Sequence, residues 1–206
     1  MDSEPVGVQA FSDLVALSLS VASGRKKIPM LGIFLTTAAF GSASLWSLDR
    51  GHPVRGGIEL DVAWRFGRPD AQIEIYGRAL AKAHRLESKV AGYPRIVLGR
   101  NLLEYIELWA KLPDSNPDTP YTDRANRWCA ELVLGILVVD DDGERVVDPF
   151  ADWYWPGEKR SLRRRTAERC LGFAEGRWTK FAVRGDTRLA DRYSRLISFL
   201  GKYGIG

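Results

Sequence analysis

The chain has 206 residues, of which 45% are hydrophobic, enough for one domain with a real core, or one domain with an appendage. Its formal charge of +4 favours anionic partners in general and is too mild to single out nucleic acid. Two cysteines, Cys129 and Cys170, lie far apart and outside any CxxC, which argues against a disulfide framework or a zinc site and for buried thiols in a reducing compartment.

The chain starts with MDSEP, an acidic opening where a secretory signal is basic, so no signal peptide is expected and the cytoplasm is the expected location. Residues 7 to 20 have extended character, with Val, Phe and Leu on both sides of Ser12 and Asp13. A tight turn near Asp13 makes this stretch a hairpin. Burying an unpaired carboxylate is costly. Two roles suit Asp13: a hard oxygen ligand for Mg²⁺ or Mn²⁺, or a turn residue bonded to its own backbone.

Pro29 suits the first turn of a helix running to about Leu48. Residues 28 to 48 carry no charge and are long enough to cross a bilayer. Thr36, Thr37, Ser42, Ser44 and Ser47 dilute that hydrophobicity, so a buried or dimer-facing helix is the expectation, and no membrane span. "DRGHP" breaks the helix, and "VRGGIELDVAWRF" is expected to be one strand, with Val54, Ile58, Leu60, Val62 and Trp64 mostly on one parity. Its two glycines allow either a bend or the close approach of another backbone or a ligand. "QIEIYG" predicts a short second strand.

The next helix, "GRALAKAHRLESKVAGY", sets an apolar face (Ala79, Ala83, Leu86, Val90) against a basic stripe (Arg78, Lys82, Arg85, Lys89). The stripe suits a triphosphate or simply a solvated face. "PRIVLG" predicts a strand and "RNLLEYIELWAKL" a helix. "PDSNPDTP", at 113 to 120, divides the chain into segments 1–112 and 113–206. Beyond it come a helix ("YTDRANRWCAELVL"), a hairpin turning at "DDDG", a packing corner or dimer contact at "WYWP", a charged helix at 158 to 175 and a last helix from Asp186. "DDDG" lacks the closing glutamate of a calcium loop, and "EKRSLRRRTAER" lacks the aromatics of a nucleic-acid surface. His52 and His84 have no metal-ligand spacing. The alternation of strands and helices predicts an α/β (α+β) sandwich with helices covering a sheet.

The run "FSDLVALS", then an apolar helix, then "GHPVRGGIELD" and "IYGRALAKAHRLESKVAGYPRIVLG", resembles the class III nucleotide cyclase domain over about residues 7 to 100. Within that family it is most similar to the bacterial pyrimidine (uridylate or cytidylate) cyclases of Pycsar antiphage defence. The resemblance implies a ferredoxin-like sandwich and a homodimer with sites between subunits. Its substrate is UTP or CTP, its product cyclic UMP or cyclic CMP, and a separate cyclic-nucleotide effector acts downstream.

The resemblance further implies two Mn²⁺ or Mg²⁺ ions, with Asp13 as one metal ligand. It puts Gln9 and Glu74 at base-facing positions, and Arg85 against the phosphates in the transition state. Ser12, Arg55, Arg78, Lys82 and Lys89 are expected around the nucleotide. The sequence departs from the family where Ala81 replaces an asparagine one helical turn before the arginine. The family's opening strand and first metal aspartate also have no counterpart among the twelve residues before Asp13. The alternative is a catalytically inactive cyclase-fold module that binds a nucleotide or a protein partner.

Overall fold

The computed structural model describes residues 7–10, 15–18, 29–66, 74–112, 121–157 and 160–203. The chain opens with an antiparallel hairpin of β1 (Gly7–Ala10) and β2 (Val15–Ser18), as the flanking apolar runs predict. Helix α1 (Met30–Asp49) follows directly after Pro29. Neither Pro29 nor any side chain of its own caps it. Instead Asn126 Oδ1 accepts from the Met30 N–H at 2.9 Å, tying the helix start to α4 (Tyr121–Gly135).

The expected long strand at 54 to 66 is two strands in two sheets. β3 (Gly56–Ile58) runs parallel to β6 (Ile96–Leu98), whereas β4 (Ala63–Phe66) pairs antiparallel with β5 (Glu74–Gly77). The acidic residues between them cause the break. Glu59 and Asp61 accept from the backbone N–H groups of Leu60 and Val62, at 2.9 and 2.7 Å, so those donors are lost to the ladder. Helix α2 (Arg78–Arg85) follows β5 and ends in one π-helical turn, Leu86–Val90. Helix α3 (Arg100–Ala110) follows β6.

The main sheet has the order β3-β6-β8-β7. Its last two strands, β7 (Leu137–Val139) and β8 (Arg145–Val147), form the expected hairpin around "DDDG". Because β8 pairs with β6, this sheet crosses the sequence break at 113 to 120. The charged helix α5 (Arg160–Val183) extends eight residues beyond its expected end at 175, and α6 (Thr187–Gly201) packs back along it. Asp186 caps α6, its Oδ1 accepting from the Leu189 N–H at 3.0 Å.

β6 is apolar and buried throughout because both sheet faces are covered. Ile96 and Leu98 face a core built with α1, α3 and α4. Val97 and Val146 face the other way, into a core with α5 and α6. The result is a mixed α/β arrangement with helices on both faces of a small mixed sheet. Cys129 and Cys170 are buried, one in each core, and both are free thiols. Burial pushes the Cys170 thiol up to about 12, so it stays protonated and inert at neutral pH.

Candidate functional site

The basic helix sits where β5 delivers it, and two glycines set that placement. Gly77 has φ 129°, and a Cβ there would stand 2.7 Å from the Val62 carbonyl, so only glycine makes the strand-to-helix corner. Gly57 of β3 lies directly beneath α2. A Cβ on it would meet the Ala83 carbonyl and Leu86 Cβ, each at 2.5 Å. Of the two roles open to "RGGI", close backbone approach is therefore the one observed, and the approaching backbone is α2. Gly57→Ala is expected to force α2 off the sheet and to destabilise the fold by about 1–3 kcal/mol, the usual cost of overpacking. The midpoint of urea unfolding measures it, and an unshifted midpoint would contradict the packing.

The basic stripe is half neutralised. Asp61, its side chain 4% exposed, accepts from Lys82 Nζ at 2.6 Å and lies 3.1 Å from Arg78 Nη2. It also accepts from the Val62 N–H at 2.7 Å. The hydrogen bond from Lys82, helped by the Val62 N–H and by Arg78, lowers the Asp61 carboxyl to about 2. Arg78 and Lys82 thus already have an internal anion. Arg55 is likewise paired with Glu87, which also lies 3.6 Å from His84 Nδ1. Arg85 and Lys89 are different: both are exposed and neither forms an ion pair among the described residues. Arg85 ends the regular helix and Lys89 lies in the π turn.

Glu59 has a different task. The α3 N-terminus begins at Gly99, which has no side chain to cap it. The Glu59 carboxylate lies against Gly99 and accepts from the Leu102 N–H at 3.2 Å. A carboxylate from a neighbouring loop thus supplies the missing cap and complements the helix dipole. Glu59→Ala is expected to cost about 1–2 kcal/mol, the usual loss of a capping side chain. Chemical unfolding checks this, with Glu59→Gln expected to retain part of the cap.

The base-facing candidates fall on neighbouring strands. Gln9 is on β1, opposite Ala16, and Glu74 opens β5, opposite Phe66. β1 lies against β5. The backbones of both residues are placed; their side chains are outside the described residues, as are Ser12 and Asp13 entirely.

A cleft of about 700 Å³ opens between α1, β3 and α2. Its walls are largely apolar, with Phe40 and Ala43 on one side and Ala79, Leu80 and Ala83 on the other. Three carboxylates, Glu59, Asp61 and Glu87, line it beside one guanidinium, Arg55. That balance opposes a triphosphate, so the nucleotide expectation belongs to the exposed Arg85 end of α2 and not to the cleft. Among the described residues no group of three or more His, Cys, Asp or Glu side chains gathers where it could hold a metal ion. Asp13 lies outside the described residues, so the ion expected there is untouched by this.

Sequence reasoning found the basic stripe and the glycine pair by spacing alone. It missed Glu59, Asp61 and Glu87 because their partners lie 17 to 43 residues away. No protein-family model matches the chain, and neither the curated proteins nor the solved structures provide a match.

Proposed function

We propose that the chain is a pyrimidine nucleotide cyclase module acting as a homodimer, which binds UTP or CTP and forms the 3′,5′-cyclic monophosphate. In this reaction the ribose 3′-oxygen attacks the α-phosphate and pyrophosphate leaves. The protein's work is positioning and charge neutralisation. The observation that carries the proposal is an exposed Arg85, with no ion pair among the described residues, on a helix fed by β5, with β1 alongside. This brings the two base-facing positions, 65 residues apart in sequence, onto adjacent strands. Gln9 and Glu74 read the base edge by hydrogen bonding, which suits either pyrimidine. Arg85 meets the phosphates, and Lys89 adds positive charge beside it. Asp13 is the residue assigned to Mn²⁺ or Mg²⁺.

The dimer is part of the proposal, with each site between two subunits. About 10 Å of strand and about 12 Å of helix separate Glu74 from Arg85 along β5 and α2. In the proposed dimer a nucleotide meets one subunit's strands and another subunit's α2. Two aromatic side chains are exposed on the β4–β5 pair. Trp64 and Tyr76 lie directly opposite each other on β4 and β5 and are 55% and 51% exposed. Exposed apolar patches of this kind mark interaction sites.

Binding tests the proposal separately from turnover. The 3′-deoxy analogues of UTP and CTP lack the attacking oxygen and should bind saturably in calorimetry, with the purine analogues weaker. No binding, or equal binding of all four, would overturn the base assignment. The capture of Arg78 and Lys82 by Asp61 favours the second reading, a nucleotide-binding module without turnover, because it leaves fewer cations for the transition state.

A further inference from the structure

We propose that the cleft between α1, β3 and α2 is a small-molecule site for an apolar amine, whose ammonium group pairs with Glu59 while its body lies against the apolar walls. The inference is independent of the nucleotide reading, which rests on the exposed Arg85.

The charges on the wall set the sign of the ligand. Arg55 pairs with Glu87, and Asp61 is held by Lys82 and Arg78. Glu59 is the carboxylate left over. It is half-buried, and among the described residues no cation lies within ion-pair distance of it. Its Oε1 takes both of its hydrogen bonds, from the Leu60 N–H at 2.9 Å and the Leu102 N–H at 3.2 Å. Its Oε2 accepts none from the described residues. The start of α3 offsets this charge only in part, because a helix N-terminus carries about half a positive charge. A second anion in the cleft would repel Glu59, and a ligand without a donor would leave Oε2 desolvated and unpaired. An ammonium group supplies both the missing charge and the missing donor.

The remaining walls set the body of the ligand. At about 700 Å³ the cleft is of the size that holds a small organic molecule. Phe40 and Ala43 of α1 face Ala79, Leu80 and Ala83 of α2 across it. Helix α1 brings no charged residue to this wall, since its sequence is uncharged from Met30 to Leu48. A bare metal ion would use none of this apolar surface, and no three ligating side chains gather among the described residues to hold one. Apolar walls around one unneutralised carboxylate select an organic monocation.

Three probes of one shape test this on the full chain without nucleotide: naphthylbutylamine, naphthylbutanol and naphthylbutyrate. Calorimetry gives the affinities, and backbone amide NMR gives the place. The amine is expected to bind saturably and at least about tenfold more tightly than the alcohol, the scale of one hydrogen bond to a charged group. The butyrate should bind more weakly than the alcohol. The amine should shift the amides of Leu60 and Leu102, which donate to Glu59, and that of Gly57 on the cleft wall. Glu59→Gln should bring the amine and the alcohol to equal affinity. Equal binding of amine and alcohol by the wild type would overturn the proposal, as would the absence of saturable amine binding. Shifts confined to residues outside the cleft would overturn it without recourse to any variant. An amine preference that survives Glu59→Gln would also overturn it.

Discussion

Replacing Arg95 with Met is expected to destabilise the protein by about 3–5 kcal/mol, the loss typical of breaking a buried ion pair from one side. Arg95 precedes β6, and its side chain is 2% exposed. Its guanidinium pairs with Asp140 and with Asp142, the latter at 2.5 Å, and donates to the Ala91 and Val90 carbonyls at 2.9 and 2.8 Å. It also lies over the Tyr93 ring, 4.7 Å from its centroid. Asp140 receives further bonds from the Tyr93 hydroxyl and from Lys202 Nζ, the latter at 3.0 Å. This one network ties the β7–β8 turn to β6 and to the end of α6.

A methionine would fill the space but leave the buried Asp140 carboxylate with Lys202 as its remaining cation. Adding Asp140→Leu to Arg95→Met is therefore expected to recover part of the loss, since removing both partners costs less than removing one. Urea unfolding of the single and double variants measures both effects. The network also fixes the acid limit. Burial pushes the Asp140 carboxyl up, but bonds from Tyr93, the Asp141 N–H, Lys202 and Arg95 outweigh it and bring it to about 2. A lowered carboxyl stabilises the fold fully above its ordinary value of 3.8, and that contribution is lost as pH falls through about 2. Stability should fall across that window in the wild type and fall less steeply in Arg95→Met.

Arg85→Ala is expected to lower kcat about 100- to 1,000-fold, the scale for losing one donor to developing transition-state charge. Substrate affinity should change little, because a contact made mainly in the transition state acts on the rate. Arg85 is the suitable test because it carries no ion pair among the described residues, so its removal strands no partner. A variant that bound more weakly but turned over unchanged would make Arg85 a ground-state phosphate contact. Mixing Arg85→Ala with Asp13→Ala should restore a fraction of activity in the mixed dimer, whose second site holds both wild-type residues.

The elements with strong local signals were legible in the sequence. Apolar runs flanking a polar pair gave the first hairpin, and "DDDG" between Val-rich runs gave the second. Helical spacing gave α2. The 54 to 66 stretch was not legible, although its apolar parity runs through Ile58, Leu60, Val62 and Trp64. Parity records which face a residue would take, and it is blind to a carboxylate that takes the next backbone N–H for itself. Glu59 and Asp61 do this at Leu60 and Val62, and the strand divides around them. The same limit applies to the site. Four basic residues at steps of four, three and four are visible in one dimension, whereas the capture of two of them by Asp61 exists only in three. "DDDG" is legible as a turn, but its role as counter-charge for Arg95, 45 residues earlier, is not.

The central claim is that this chain cyclises a pyrimidine nucleotide. Incubating the purified protein with ATP, GTP, CTP and UTP separately, each with Mn²⁺, and weighing the products by mass spectrometry tests it most directly. Cyclic UMP or cyclic CMP formed together with pyrophosphate, and abolished by Asp13→Ala, is the predicted result. The absence of a cyclic nucleotide from all four triphosphates would contradict it.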